Sequence, residues 1–153
     1  RRSPGYDAAL EYLKEMGVEY FNRETDTSKG YGNSITVDVT TSVDAAHFHR
    51  ISVRGTVAEG NMMISRINDF DKLYFEPTGT AVFFIYRDRP GVIGVIGNAL
   101  AEAGININDM RNPHDPSGEN SLALLRISGE IDCEAVEKIA GQIDALHASC
   151  VSF

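Results

Sequence analysis

Apolar and polar positions fall into two textures along the chain. From Ala8 to Met16 the residues Leu10, Leu13 and Met16 recur at helical spacing and Gly17 supplies a stop, which predicts a helix. A short strand is expected at Val18 to Phe21, followed by a polar loop from Asn22 to Asn33. Ile35, Val37 and Val39 then alternate with Thr36, Asp38 and Thr40, the period of a strand with one buried face. His49 to Val57 continues this pattern, with Ile51, Val53 and Val57 facing in. Glu59-Gly60-Asn61 turns the chain, Met62 to Ile67 returns, and Asn68-Asp69 turns it again into Lys72 to Phe75. One helix followed by antiparallel strands predicts an α+β region.

Glu76-Pro77-Thr78-Gly79 punctuates the chain before a continuous apolar run, so a domain boundary is predicted there, dividing 1–77 from 78–153. Ala81 to Tyr86 suits a central strand. Val92, Val95, Ile96, Ala99, Leu100 and Ala103 recur at helical spacing up to Gly104. Ile105 to Arg111 and Ser121 to Ile127 read as strands around a turn at 112–118, and Asp132 is a candidate N-cap for a helix with Val136, Ile139, Ala140 and Ile143 on its core face. Ser149 to Phe153 supplies a last strand. The order β-α-β-β-α-β predicts a ferredoxin-like domain, with two helices on one face of a four-stranded antiparallel sheet.

Composition narrows the function classes. The 153 residues are 42% hydrophobic, enough for one ordinary domain or two small ones. No apolar run approaches the ~20 residues of a membrane span. The first residues, Arg1-Arg2-Ser3-Pro4-Gly5, form no signal-peptide core, and the chain reads as part of a longer cytoplasmic protein. A net charge of −8 disfavours nucleic acid, and membrane is not an expected partner. Cys133 and Cys150 have no Cys-x-x-Cys spacing and are expected to be reduced thiols.

Several constellations invite chemistry. Gly91, Gly94 and Gly97 follow a strand, but a dinucleotide cradle keeps its glycines in the turn, whereas Gly94 and Gly97 fall inside the predicted helix. They are expected instead to let the helix approach a neighbouring strand or subunit. His47 and His49 share a strand face, yet no third ligand stands at a telling spacing, so no metal site is expected. Arg50 and Arg54 share strand parity and with Arg66 make a candidate anion patch; the simpler role is that of solvated side chains balancing nearby carboxylates. No catalytic constellation can be assembled from the sequence.

Asp88 differs, lying between a strand end and a helix start, just ahead of Pro90. The first-turn N–H groups of a helix are unpaired and carry its positive end. A zwitterionic amino acid needs donors for its carboxylate and an acceptor for its ammonium, which the helix start and Asp88 offer. Asn106 opens the next strand, expected to be adjacent in the sheet, and its amide can bond either group. The plainer alternative is that Asp88 caps the helix and Asn106 ends a turn.

Arg87-Asp88-Arg89-Pro90-Gly91-Val92-Ile93-Gly94 with Ala101-Glu102-Ala103-Gly104-Ile105-Asn106-Ile107 resembles the ACT domain of D-3-phosphoglycerate dehydrogenases. Ser65-Arg66-Ile67-Asn68-Asp69-Phe70 resembles the strand end preceding that domain, and Ala9 to Val18 the last helix of an intervening, allosteric substrate-binding type domain. The resemblance implies an enzyme that oxidises 3-phosphoglycerate with NAD in serine synthesis and is often inhibited by serine. It implies L-serine binding at Tyr86, Asp88, Pro90, Gly91, Val92, Asn106 and Ile107, and ACT sheets paired between chains in a homo-oligomer. It implies no catalytic residue and no cofactor in this stretch, with NAD held elsewhere in the parent enzyme. Alternatives are the regulatory part of an iron–sulfur L-serine dehydratase, a free-standing amino-acid-binding module, and an RNA-recognition fold, against which the missing aromatic strands count.

Overall fold

The structure is a computed structural model that describes residues 4–19, 34–44 and 47–153. It contains two compact units, residues 1–32 and 33–153. In the first, α1 spans Pro4–Glu15, beginning four residues before the predicted Ala8 because Pro4 is pre-set for a first helical position. Gly17, at φ 73°, ends it as predicted, with its N–H bonded to the Lys14 carbonyl at 3.0 Å and that of Val18 to Leu13 at 2.9 Å. The strand predicted at Val18 to Phe21 and the loop at Asn22 to Asn33 reach into residues 20–33, which lie outside the described residues.

The second unit is α+β, with two four-stranded antiparallel sheets. Strands β1 (Ser34–Asp44), β2 (His47–Ala58), β3 (Asn61–Ile67) and β4 (Phe70–Phe75) form the first in simple meander order. Glu59 and Gly60 turn β2 into β3 with φ 52° and 83°, both left-handed as a tight hairpin requires. Alternation gives this sheet one apolar and one polar face. The expectation that the apolar face is buried fails for much of it: Ile35 is 73% exposed, Val37 55%, Ile51 56% and Val57 52%. Alternation marks a face; what covers it depends on parts of a protein that a strand pattern does not encode.

Strands β5 (Thr80–Arg87), β6 (Ile107–Arg111), β7 (Asn120–Ile127) and β8 (His147–Ser152) form the second sheet in the order β6-β7-β5-β8. Helices α2 (Val92–Glu102) and α3 (Cys133–Ile143) follow β5 and β7, giving the predicted ferredoxin-like β-α-β-β-α-β order. Val82, Phe84 and Tyr86 of β5, with Leu125 and Ile127 of β7, pack on Val92, Ile96 and Leu100 of α2 and Val136, Ile139 and Ile143 of α3. Strand parity sends the alternate residues the other way: Ala81, Leu122 and Leu124 bury Phe70, Leu73 and Phe75 of β4. The predicted boundary at 77/78 thus falls between two sheets that share a core within one compact unit. Two arginines reinforce this junction. Arg111 donates to the Leu73 carbonyl at 2.8 Å, and Arg126 reaches Thr78 Oγ1 at 3.1 Å and Glu76 at 3.4 Å.

Candidate ligand-binding site

The site is built where β5 gives way to α2. The Asp88 N–H donates to the Glu119 carbonyl at 2.9 Å, carrying the β5–β7 pairing one step past the strand. Gly91 then adopts φ 92° as the N-cap of α2, a left-handed position that glycine occupies without strain. Among the described residues no side chain caps α2, and no acidic residue lies in its first turn, so the helix start keeps unpaired N–H groups and its positive dipole end. The capping role considered for Asp88 is therefore not the one it plays. Arg89 braces the loop from behind, donating to the Ile143 carbonyl at 2.9 Å and pairing with Asp144 at 3.0 Å. A cation there also complements the negative end of α3.

Asp88 is held by residues that the sequence analysis did not single out. Ser121 stands opposite Tyr86 in the β5–β7 register and is wholly buried. Its hydroxyl donates to Asp88 Oδ1 at 2.8 Å and lies 3.0 Å from His114 Nδ1. His114 Nδ1 is in turn 3.9 Å from Asp88 Oδ2. The Tyr86 hydroxyl accepts from Asn112 at 2.9 Å, and the same amide nitrogen bonds the Leu122 carbonyl at 3.0 Å. Burial raises the Tyr86 pKa above 10.0 and the Asp88 charge adds to this, while the Asn112 bond acts in the opposite sense; the phenol is neutral at physiological pH. A serine, a histidine and an aspartate do meet here, although none was assembled from the sequence. The order is not that of a nucleophilic triad, because Ser121 is sealed from solvent and donates to the carboxylate itself. The cluster fixes one carboxylate, 41% exposed, beside an uncapped helix start.

The other predicted residues fall in several places. Pro90 and Gly91 are exposed at the helix start, while Val92 is buried in the core and offers the site only its backbone. Asn106 and Ile107 do not join Asp88 within one chain. Ile107 pairs with Ile127, which pairs with Thr80 at the far end of β5 from Asp88. At about 3.3 Å per residue the separation is roughly 25 Å. Asn106 bonds Ser128 and Asn108 there. The expectation that Asn106 opens a strand adjacent to β5 is corrected twice: β7 lies between β5 and β6, and α2 returns the chain to the start of β5 before β6 begins.

On the first sheet, Arg50, Arg54 and Arg66 do share the polar face, as register and parity require. Arg50 pairs with Asp38 at 3.1 Å, Arg54 bonds Thr36 at 3.2 Å, and Arg66 bonds Ser52 at 2.9 Å and the Asn68 carbonyl at 2.7 Å. A hydrogen bond from the Ser52 side chain to Asp38, then one from Arg50, holds the Asp38 carboxyl below its usual range. Arg66 Nε is buried without a hydrogen-bond partner among the described residues. Gly94 and Gly97 lie inside α2, so the Gly91-Gly94-Gly97 spacing forms no phosphate cradle. A Cβ at Gly94 or Gly97 would meet nothing within 4 Å, so the close approach expected of them does not occur among the described residues. The side chains of His47 and His49 lie outside those described, and among the described residues no three His, Cys, Asp or Glu group to hold a metal.

A serine facing inward in an otherwise apolar strand, Ser121-Leu122-Ala123-Leu124-Leu125, was the available signal for the missed residues. Read through the ferredoxin-like strand order, it falls opposite Tyr86. His114 and Asn112 gave no such signal, because the turn alone brings them back against β7.

Fold and site define the class as an α+β chain whose second half is a ferredoxin-like domain with a buttressed carboxylate at one end of its sheet. No family model matches the chain. It is similar to D-3-phosphoglycerate dehydrogenase of Bacillus subtilis, with 27% identity over 139 residues, covering 90% of this chain and 25% of the relative. The enzyme of Methanocaldococcus jannaschii is 31% identical over 82% of this chain and 23% of the relative, and that of Synechocystis 25% over 91% and 24%. The chain belongs to the D-3-phosphoglycerate dehydrogenase family, as a counterpart of the C-terminal part of its members. It spans about a quarter of the length of these curated relatives.

Proposed function

We propose that residues 78–153 are an ACT-type regulatory domain of a D-3-phosphoglycerate dehydrogenase, which binds L-serine as a feedback inhibitor. The observation that carries the reading is the Asp88 carboxylate, held by buried Ser121 beside a helix start that no side chain caps. The N–H groups of that start suit a ligand carboxylate, and Asp88 suits its ammonium. Asn106, exposed at the opposite end of the sheet, completes the pocket from a second chain, and the edge strands β6 and β8 are where two sheets join. Inhibition is then linkage: serine favours one arrangement of the paired domains, and a coupling of ~1–3 kcal/mol changes activity severalfold to a hundredfold. Oxidation of 3-phosphoglycerate with NAD, in the cytoplasm, belongs to the same reading and to other parts of the enzyme. The same reading assigns Arg50, Arg54 and Arg66 to an anion patch, supported by their common face and by the unpartnered Arg66 Nε.

The test is thermal denaturation and calorimetry with L-serine. Serine is expected to raise the melting temperature by a few degrees, since a ligand at 100 times its Kd adds about 2.7 kcal/mol. Asp88→Ala should abolish the shift. Absence of binding heat at millimolar serine removes the serine assignment, and a panel of other amino acids then identifies or excludes a different one.

A further inference from the structure

The charge presented at the start of α2 is set by three side chains that stand far apart in sequence. The Ser121 hydroxyl has one proton and two lone pairs. It gives the proton to Asp88 Oδ1 at 2.8 Å, so its oxygen can accept from His114 Nδ1 at 3.0 Å. This direction assigns the neutral imidazole as the Nδ1–H tautomer and leaves Nε2 as the site of protonation, on a side chain that is 57% exposed. Protonation at Nε2 keeps both bonds and needs no rearrangement. Only the charge changes, and it appears on a ring whose Nδ1 is 3.9 Å from Asp88 Oδ2.

We propose that His114, Ser121 and Asp88 act as one proton-linked unit, negative when His114 is neutral and balanced when it is protonated, so that an ammonium-bearing ligand held at neutral pH is released on acidification. The inference rests on the amino-acid-binding reading above and gives that site its regulation. The imidazolium satisfies the carboxylate that the ligand needs, and it repels the ligand's own positive charge.

Of the two histidines at this end of the sheet, His114 contacts the Asp88–Ser121 pair, whereas His147 stands opposite Ile85 on β8, whose strand parity differs from that of Tyr86 and Ser121. Asp115, the neighbour of His114, has its carboxylate bonded by Ser117 and Asn120 and its pKa held at about 2. Glu119 meets Asp88 through its backbone carbonyl. Arg87 is an exposed, permanently charged residue, and Arg89 is held by Asp144 and the end of α3. Tyr86 is kept neutral by burial. Histidine is the side chain type whose charge ordinarily changes between pH 5 and 8.

Serine titrations at pH 8 and pH 6 on the whole chain, wild type and His114→Gln, test the proposal. Glutamine keeps a donor for Ser121 and cannot charge. The wild-type Kd should rise about fivefold from pH 8 to pH 6, as expected for a unit charge within a Debye length of the ligand ammonium. His114→Gln should bind with the same affinity at pH 8 and pH 6, whatever that affinity is. A pH dependence that survives His114→Gln overturns the proposal, as does a flat wild-type profile. If serine binds at neither pH, the amino-acid reading fails separately, and nitrogen NMR of the His114 ring in ligand-free protein decides the linkage. A neutral ring carrying its proton on Nδ1 keeps the proton-linked unit, and one carrying it on Nε2 overturns it.

Discussion

Asp115 organises the turn that brings His114 and Asn112 against β7. The turn has the form Asp-Pro-Ser-Gly, with Pro116 at the position that favours its fixed φ and the Gly118 N–H closing onto the Asp115 carbonyl at 3.0 Å. The Asn120 amide and the Ser117 hydroxyl each donate to the carboxylate at 2.8 Å. The Asn120 side-chain bond is the main cause of the fall in the Asp115 pKa from 3.8 to about 2. A depressed carboxyl contributes stability that is present above the unfolded pKa and lost as pH falls through the folded one. Asn120→Ala should therefore be less stable than wild type at pH 7, by a margin that closes between about pH 4 and pH 2. Urea denaturation at a series of pH values measures the margin. An equal gap at pH 2.5 and pH 7 shows that Asn120 acts on something other than the carboxylate. Such bonds were illegible in the sequence, which offered Asn112 to Gly118 as a turn and no more. Asp88 was legible because its meaning is local, set by a strand end and a helix start. Ser121 was not, because its meaning depends on the register of a partner strand.

At the scale of elements, the stops and starts of helices follow their sequence signals. Gly104 ends α2 at φ 71°, with its N–H on the Ala101 carbonyl and that of Ile105 on Leu100, both at 2.9 Å. Asp132 caps α3, its side chain accepting from the Ala135 N–H at 2.6 Å. Asp132→Ala should cost ~1 kcal/mol, seen as a lower denaturation midpoint with an unchanged denaturant slope. Asp132→Asn, which keeps the acceptor, should recover most of it. A loss equal to that of alanine would assign the effect to charge at the helix start instead of the cap bond. The contrast with α2 is instructive, since one helix start is closed by its own side chain and the other is left open. The β-sheet pattern was legible as far as which residues share a face. The alternation that placed Arg50, Arg54 and Arg66 together is the same one that put Ile35, Val37 and Ile51 on a face now exposed. A period of two gives sidedness, while burial depends on neighbours. Gly94 and Gly97 carry the same lesson for α2, whose open positions no contact among the described residues explains.

For the molecule as a whole, the decisive fact is the distance between the two halves of the proposed pocket. Asp88 ends β5, and Asn106 lies level with Thr80 at its beginning. No side-chain rotation spans eight residues of strand, about 25 Å. Either Asn106 has no part in the site, or the site is completed by a second chain, and a mixing experiment separates these. Asp88→Ala and Asn106→Ala proteins are each expected to bind no serine, since every site in each homodimer lacks one member. In a heterodimer of the two, one site loses both residues and the other keeps both. Random reassociation of an equal mixture makes half the dimers mixed, so about a quarter of the native number of sites should return, with native affinity, in a two-fold symmetric assembly. Calorimetry reads site number and affinity separately. If Asn106→Ala alone binds serine like the wild type, Asn106 leaves the site. If the mixture binds no more than its parents, the two residues do not meet across chains, and Asp88 must act with groups of its own chain alone. Recovery with native affinity would tie ligand binding to association of the chains, because the pocket then exists only where two sheets meet. Serine should for the same reason stabilise the dimer against dilution, in proportion to the affinity the shared site confers.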